Sequence, residues 1–346
     1  MHAIFGMKEY LDKANKVVIL THMAPDGDAM GSALGLWHYC KGEQLSVSGE
    51  RNVTVIVPNA FPAFFNWMPG ADKVRIYEKE VEACNALIAE ADLFLCTDFN
   101  DPKRIGPMGE KMMASGAPKV LIDHHLNPVH FADEEHSHPE ASSACEVVYR
   151  LLKAENTDWL TTELATCLYT GLMTDTGNFS FNSTSCELYE IIAELIRAGV
   201  KKDEIYNAVF NQYSTDRMRL MGYALYRKMR IFPSHHLALI TLSADELDQY
   251  HYQPGDCEGL VNMPMQIADV YYSVFMREER AKPGTPKPRI RISFRSQGDR
   301  PVNIWASDIA DRSVPISERL AATNRTVPRP THWHVRRRET PLMPIY

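Results

Sequence analysis

The sequence predicts an α/β protein of two domains, on three observations. Short β-branched runs alternate with helix-like segments through the N-terminal part, a helical stretch follows, and a second, shorter strand-rich pattern returns after residue 230. A chain of 346 residues also exceeds the usual single-domain size, and 45% apolar residues are enough for two cores.

Taken in order, VVIL at 17–20, VTVIV at 53–57, LFLCTDF at 93–99 and KVLIDHH at 119–125 read as buried strands. Each is followed by polar, Gly or Pro residues and then a helix-like segment, which is the pattern of a parallel sheet. From Ser142 to about Val200 three amphipathic helices are expected in SSACEVVYRLLKAEN, TTELATCLYTGLM and ELYEIIAELIRAG, with Gly199 closing the last. Residues 201–230 are charged, helix-prone and without strand signals, so they read as helical connector. HLALITLS at 236–243, YYSVFMRE at 271–278 and RIRISFRS at 289–296 then look like strands, CEGLVNMPMQIAD like a helix between the first two, and the Lys/Pro-rich stretch at 282–288 like a loop. The expected layout is a parallel-sheet domain over 1–190, a helical connector over 191–230, a smaller α/β domain over 231–308 and an atypical tail over 309–346. That tail has seven arginines, five prolines and no lysine, a composition that predicts disorder or loose association.

Composition narrows the setting. No run of about 18 apolar residues is present to span a bilayer, and MHAIFGMKEYLDKANK mixes charge with short apolar stretches instead of forming a signal peptide. A cytoplasmic protein without a membrane partner is expected. The seven cysteines are scattered and never spaced C-x-x-C, which argues against a disulfide framework or a structural zinc site. A net charge of −7 speaks against binding long duplex DNA, which needs a basic face to release counterions. Cations held among carboxylates can still attract a phosphate locally.

Four clusters at predicted strand or helix ends carry the chemistry. They are His22, Asp26 and Asp28 in THMAPDGDAMGS, Asp98 in LFLCTDFN, Asp123-His124-His125 in KVLIDHH, and Asp175 in LMTDTGNFSF. The Gly31-Ser32 pair after the first cluster is expected to open a helix whose N-terminus favours an anion. Each cluster alone has an ordinary reading: D-G-D is most often a turn, and an aspartate after a strand is usually a helix cap. Gathered at one edge of a sheet, so many carboxylates would repel unless cations were bound. Oxygen donors with a few imidazoles and no thiolate suit Mn²⁺ or Mg²⁺, with Fe²⁺ or Co²⁺ also accommodated. The side chains are too many for one ion and fit a pair about 3.5–4 Å apart.

In order and spacing, His22-x-x-x-Asp26-x-Asp28, the Asp98 strand end, Asp123-His124-His125 and Thr174-Asp175-Thr176-Gly177 resemble the four motifs of the DHH phosphoesterase superfamily. Ala141-Ser142-Ser143-Ala144-Cys145-Glu146 resembles the helix start that follows the DHH motif in its nanoRNase/pAp-phosphatase branch. Glu258-Gly259-Leu260-Val261-Asn262 and Ile292-Ser293-Phe294-Arg295-Ser296 resemble the DHH-associated substrate-binding domain, so the likeness covers about residues 15–307. It implies that His22, Asp26 and Asp98 hold one metal and that Asp28, Asp98, His124 and Asp175 hold the other, with Asp98 as bridge. It further implies that Asp123 orients a histidine, that His125 assists the leaving oxygen, and that Arg295 and Ser293 contact the nucleotide. The alternative for Arg295 is a solvated strand residue.

The resemblance implies a metal-dependent phosphoesterase acting on short oligoribonucleotides or 3′-phosphoadenosine 5′-phosphate, with a homodimer admitted. Hydrolysis of cyclic dinucleotides or linear pApA is the near alternative. An inactive nucleotide-binding protein is the distant one, because the glycine-rich G-G-G-H segment that normally follows the RISFRS strand is missing and the last glycine is Gly298.

Overall fold

The computed structural model describes residues 6–43, 51–155, 159–280 and 289–297, with Val302; the expected loop at 282–288 and the tail over 309–346 lie outside the described residues. Two compact units are present. One runs to Met218 and takes in Tyr252–Cys257, and the other comprises Arg219–His251 and the chain from Glu258 onward.

The first unit contains α1 (Gly6–Lys13), β1 (Lys16–Leu20), α2 (Gly27–Glu43), β2 (Asn52–Val57), β3 (Arg75–Ile76), α3 (Val81–Ala89), β4 (Leu93–Thr97), α4 (Pro107–Ala114), β5 (Lys119–Asp123) and β6 (Glu134–Ser137). The helices α5 (Ala144–Glu155), α6 (Thr162–Asp175), α7 (Cys186–Arg197) and α8 (Lys202–Phe210) follow. Its six strands lie in the order β3-β2-β1-β4-β5-β6, every pair parallel. This is the α/β architecture that the strand–helix alternation predicts. β3 and β6 escape the pattern because one has two residues and the other reads EEHS, with no apolar run to mark it.

Successive residues of a strand point to opposite faces, and both faces here are covered. Ile19, Val55, Leu95 and Val120 pack with residues of α2, α5 and α6 such as Leu34, Val148 and Leu168. Val18, Ile56, Phe94 and Leu121 pack with Cys84, Ile88, Met108 and Met112 from α3 and α4. Two-sided burial is the reason these strands read as unbroken apolar runs. Small residues let α2 approach α6 at backbone distance: a Cβ added at Gly31 would lie 2.5 Å from the Cys167 carbonyl oxygen, and one at Gly171 would lie 2.2 Å from Cys145 Sγ and 2.9 Å from Asp28 Oδ1. That contact sets Asp28 against the start of α5.

The second unit begins within α9 (Thr215–Tyr223), continues through the π-helical turn Ala224–Lys228, and contains β7 (Arg230–Phe232), β8 (Leu237–Leu242), α10 (Ala244–Gln249), β9 (Tyr272–Glu279) and β10 (Arg289–Ser296). Its sheet order is β10-β9-β8-β7, a parallel β8–β9 pair between two antiparallel ones. The helix expected over 257–269 is instead a 3-10 turn, Leu260–Gln266. Gly259 enters it at φ 79°, and Pro264 inside it lacks the N–H that an α-helix would use. All seven cysteines are free and six are buried. Among the described residues no helix is long and apolar enough to cross a membrane.

Candidate metal centre

β1 lies between β2 and β4; the chain moves outward through β2 and β3 on one side and through β4, β5 and β6 on the other. Such a reversal opens a crevice beyond the C-terminal strand ends. His22 follows β1, Asp98 follows β4, and Asp123 ends β5 with His124 and His125 directly after it. Asp26 and Asp28 stand at the start of α2, and Asp175 is the last residue of α6.

Asp26 caps α2: its Oδ1 accepts from the Asp28 and Ala29 amides at 3.1 and 3.0 Å. The helix therefore opens at Gly27, four residues before the expected Gly31-Ser32 start, and the anion its first amides hold is this carboxylate. Asp28 is 1% exposed and uses the N-terminus of another helix, its Oδ2 accepting from Ala144 N at 2.6 Å and its Oδ1 from Cys145 N at 2.9 Å. These are the otherwise unpaired first amides of α5, where the positive helix end favours a carboxylate. Ser143 and Glu146 fix that end, with Ser143 Oγ accepting from Glu146 N and Glu146 Oε2 accepting from Ser142 N and Oγ. The Ser-x-x-Glu spacing after the DHH motif thus positions a side chain over a hundred residues earlier.

Asp98 is 2% exposed and sits in left-handed backbone at φ 62°, a strained choice for a non-glycine residue. Its Oδ2 is 3.2 Å from His22 Nε2, and its Oδ1 is 3.6 Å from both His124 Nε2 and His125 Nδ1. The two oxygens therefore face different imidazoles. His22 Nδ1 donates to the Met23 carbonyl at 3.0 Å, which leaves Nε2 facing Asp98 and, at 3.8 Å, Asp26. His124 Nε2 stands 3.6 to 3.7 Å from carboxylate oxygens of Asp28, Asp98 and Asp175. Donor atoms lie within 4.8 Å of one another in each of three groups: His22–Asp26–Asp98, Asp28–His124–Asp175 and Asp98–His124–His125.

Among the described residues none of the five carboxylates is paired with a lysine or arginine. Like charges about 4 Å apart repel by roughly 4 kcal/mol at an effective dielectric near 20, so the cluster alone resists full ionisation. Burial first, and Asp98 next, push the Asp28 carboxyl up to about 7. Burial and Asp28 hold Asp175 well above the ordinary range. Burial opposes charge on His22 and His124, yet their carboxylate neighbours prevail and raise both to about 10, while those imidazoles hold Asp98 low. Protons on the imidazoles balance this group where divalent ions would do so better, and the oxygen and imidazole donors without thiolate suit such ions.

Asp123 is fully buried; its two oxygens accept from His125 Nδ1 at 2.8 Å and His125 N at 3.1 Å. Ser293 and Arg295 belong to the second unit, two residues apart and so on one face of β10, an edge strand. Arg295 is exposed and donates to the Phe294 carbonyl at 2.9 Å. A residue that sequence reasoning overlooks is Arg104, whose Nη1 is 2.8 Å from His125 Nε2. It follows Asp98 by six residues in DPKRIG, and only the Pro-led turn there hints at a fixed position.

Fold and site together define a class: an α/β protein with carboxylates and imidazoles grouped so that they could hold metal ions at a sheet switch point. Residues 16–172 match the DHH family, N-terminal domain, and the chain belongs to this family of phosphoesterases. An exopolyphosphatase-related protein from Bacteroides fragilis has a similar crystal structure, with a TM-score of 0.81 and 39% identity over 93% of this chain and 94% of that one. The bifunctional oligoribonuclease and PAP phosphatase NrnA of Thermus thermophilus is 27% identical over 285 residues, 82% of this chain and 76% of its own. The protein of that description from Bacillus subtilis is 25% identical over 285 residues, 82% of each chain.

Proposed function

We propose that this chain hydrolyses short oligoribonucleotides and 3′-phosphoadenosine 5′-phosphate with two divalent ions, manganese foremost. The observation that carries the reading is the pair of donor groups that meet at one side chain, His22–Asp26–Asp98 on one side and Asp28–His124–Asp175, reached by the other oxygen of Asp98, on the other. Bound there, the ions would supply a water acidic enough to attack at neutral pH and a Lewis-acid hold on the phosphate. The protein's part is to place them. Asp28 is fixed by the α5 amides, His22 by its bond to the Met23 carbonyl, and His125 by Asp123, so little reorganisation is left to the moment of reaction. The relatives named for both activities align with most of the chain, which favours small linear substrates over cyclic dinucleotides. Ser293 and Arg295 are the proposed contacts from the second unit.

Purified protein with Mn²⁺ is expected to split a dinucleotide and release phosphate from 3′-phosphoadenosine 5′-phosphate, resolved by chromatography. Preference for cyclic di-AMP would move the assignment to the cyclic-dinucleotide alternative. No cleavage of any of these with Mn²⁺, Mg²⁺, Co²⁺ or Fe²⁺ would leave only a binding protein.

The division of labour between neighbouring histidines is separable. His124→Ala is expected to lose metal, because Nε2 faces three carboxylates of the cluster. His125→Ala is expected to keep its metal while turnover falls about 10²–10⁴-fold, the scale of losing a positioned proton-transfer or hydrogen-bonding group. Equal metal loss in both variants, measured by elemental analysis, would refute the division.

A further inference from the structure

The guanidinium of Arg104 is set against the metal cluster in a way the ligand roles do not use. Its turn, Pro102–Ile105, is fixed by local bonds: Pro102 leads it, Asp101 Oδ1 accepts from Lys103 N at 2.9 Å, and Asp101 O accepts from Arg104 N at 2.9 Å. The Arg104 carbonyl accepts from Met23 N at 2.8 Å, which ties the turn to the residue after His22. Arg104 is half-buried, and its Nη1 is 2.8 Å from His125 Nε2.

Several other arginines have carboxylate partners, Arg75 with Glu80, Arg150 with Glu146 and Glu187, and Arg280 with Asp245 and Asp248, whereas Arg51 and Arg295 donate to backbone carbonyls. Arg104 has none among the described residues, although Asp98 and Asp123 lie on the other side of the imidazole it touches. Its partner is an imidazole that accepts one hydrogen bond from a group with five donors. A cation placed beside an acidic cluster and not spent on it has remaining donors for an anion from solution. A guanidinium's planar fork matches two phosphate oxygens at once.

The contact also constrains His125. Guanidinium only donates, so His125 Nε2 accepts, and its Nδ1 donates to Asp123. Both ring nitrogens are engaged, and the group beside the cluster that has donors to spare is the arginine.

Resting on the phosphoesterase reading above, we infer that Arg104 is a catalytic residue that holds the substrate phosphate beside the metal ligands, with His125 as the hinge that positions it. The donor is preorganised before substrate arrives, and its charge becomes more valuable as negative charge grows on the phosphate oxygens.

The test uses the full-length, manganese-loaded protein with Arg104→Ala and Arg104→Lys. Turnover of a dinucleotide is expected to fall about 10²–10³-fold in Arg104→Ala, the usual scale for removing one such donor, with manganese content unchanged. Added guanidinium ion should restore part of that activity to Arg104→Ala and none to His125→Ala, which a merely structural arginine would not show. Inorganic phosphate, titrated calorimetrically into the manganese-loaded proteins, should bind Arg104→Ala at least about tenfold more weakly than wild type. The calorimetric arm stands even if the wild type cleaves nothing, so failure of the phosphoesterase reading is recognised separately. Unchanged phosphate affinity in Arg104→Ala overturns the inference, as does manganese loss in both Arg104→Ala and Arg104→Lys, which would make the residue a support of the metal loops.

Discussion

Asp98→Asn is expected to lower turnover by about 10⁴-fold, the scale seen when one member of a catalytic unit is removed, and to leave the protein deficient in both ions. Asparagine is the informative replacement because it tolerates the left-handed backbone that Asp98 adopts at φ 62°, so the change falls on the carboxylate and not on the chain. One oxygen of Asp98 faces His22 and the other faces His124 and His125, and among the described residues no other carboxylate reaches imidazoles of both donor groups. Losing charge there should disturb both positions together, whereas Asp26→Asn, confined to the His22 side, should spare the other. Metal analysis of the two variants beside their steady-state rates decides the matter. An Asp98→Asn protein that retains two ions and turns over within tenfold of wild type would remove Asp98 from the shared position.

Much of this site could be read from the chain because its residues sit where strands and helices end, and apolar runs mark strands well when both faces are buried. VVIL, LFLCTDF and KVLIDHH announced β1, β4 and β5, and the acidic or imidazole residues at their ends came with them. The start of α2 was harder to place. Asp26 caps the helix with a side chain that could equally have made the D-G-D turn, and only the amides it accepts from distinguish the two. The α5 amides that hold Asp28 belong to a segment more than a hundred residues away, a pairing that periodicity does not encode. Arg104 was illegible for a similar reason: a single arginine in a short turn has no pattern, and its meaning comes from His125, which a different strand delivers. β6 gives no strand signal because an edge strand reading EEHS carries the charged sequence that discourages further pairing. The apolar content around Leu260–Gln266 suggests a full helix, but Pro264 within it stands against one and the segment is a 3-10 turn.

Removing the metal with a chelator should abolish hydrolysis, and it should also leave a fold that grows less stable as pH rises. Asp28 has an ordinary value of 3.8, and burial followed by the nearby Asp98 charge raises it to about 7 in the folded state. A raised acid is favoured protonated, so its contribution is intact below 3.8 and is lost as pH climbs towards about 7. His22 and His124 start from 6.5; burial opposes them, but their carboxylates carry them to about 10. Their contribution is complete below 6.5 and disappears as pH rises through about 10. Asp26 and Asp98 are shifted the other way, yet both lie below 3.8, so they change nothing near neutrality. His38 and His136 are lowered, chiefly by burial, and so act in the opposite sense, but only up to about 6.5; from about pH 6 to about pH 8.5 the raised cluster groups outweigh them, and the metal-free protein should melt progressively lower. Bound cations replace those protons and are taken up best by deprotonated ligands, so saturating Mn²⁺ should raise the melting temperature more at about pH 8.5 than at about pH 6. Thermal melts with Mn²⁺ and with chelator at both pH values read this directly. Full hydrolysis in excess chelator would sink the metal mechanism, and a manganese-induced gain that is the same at both pH values would show that these imidazoles and carboxylates do not give up protons to the ions.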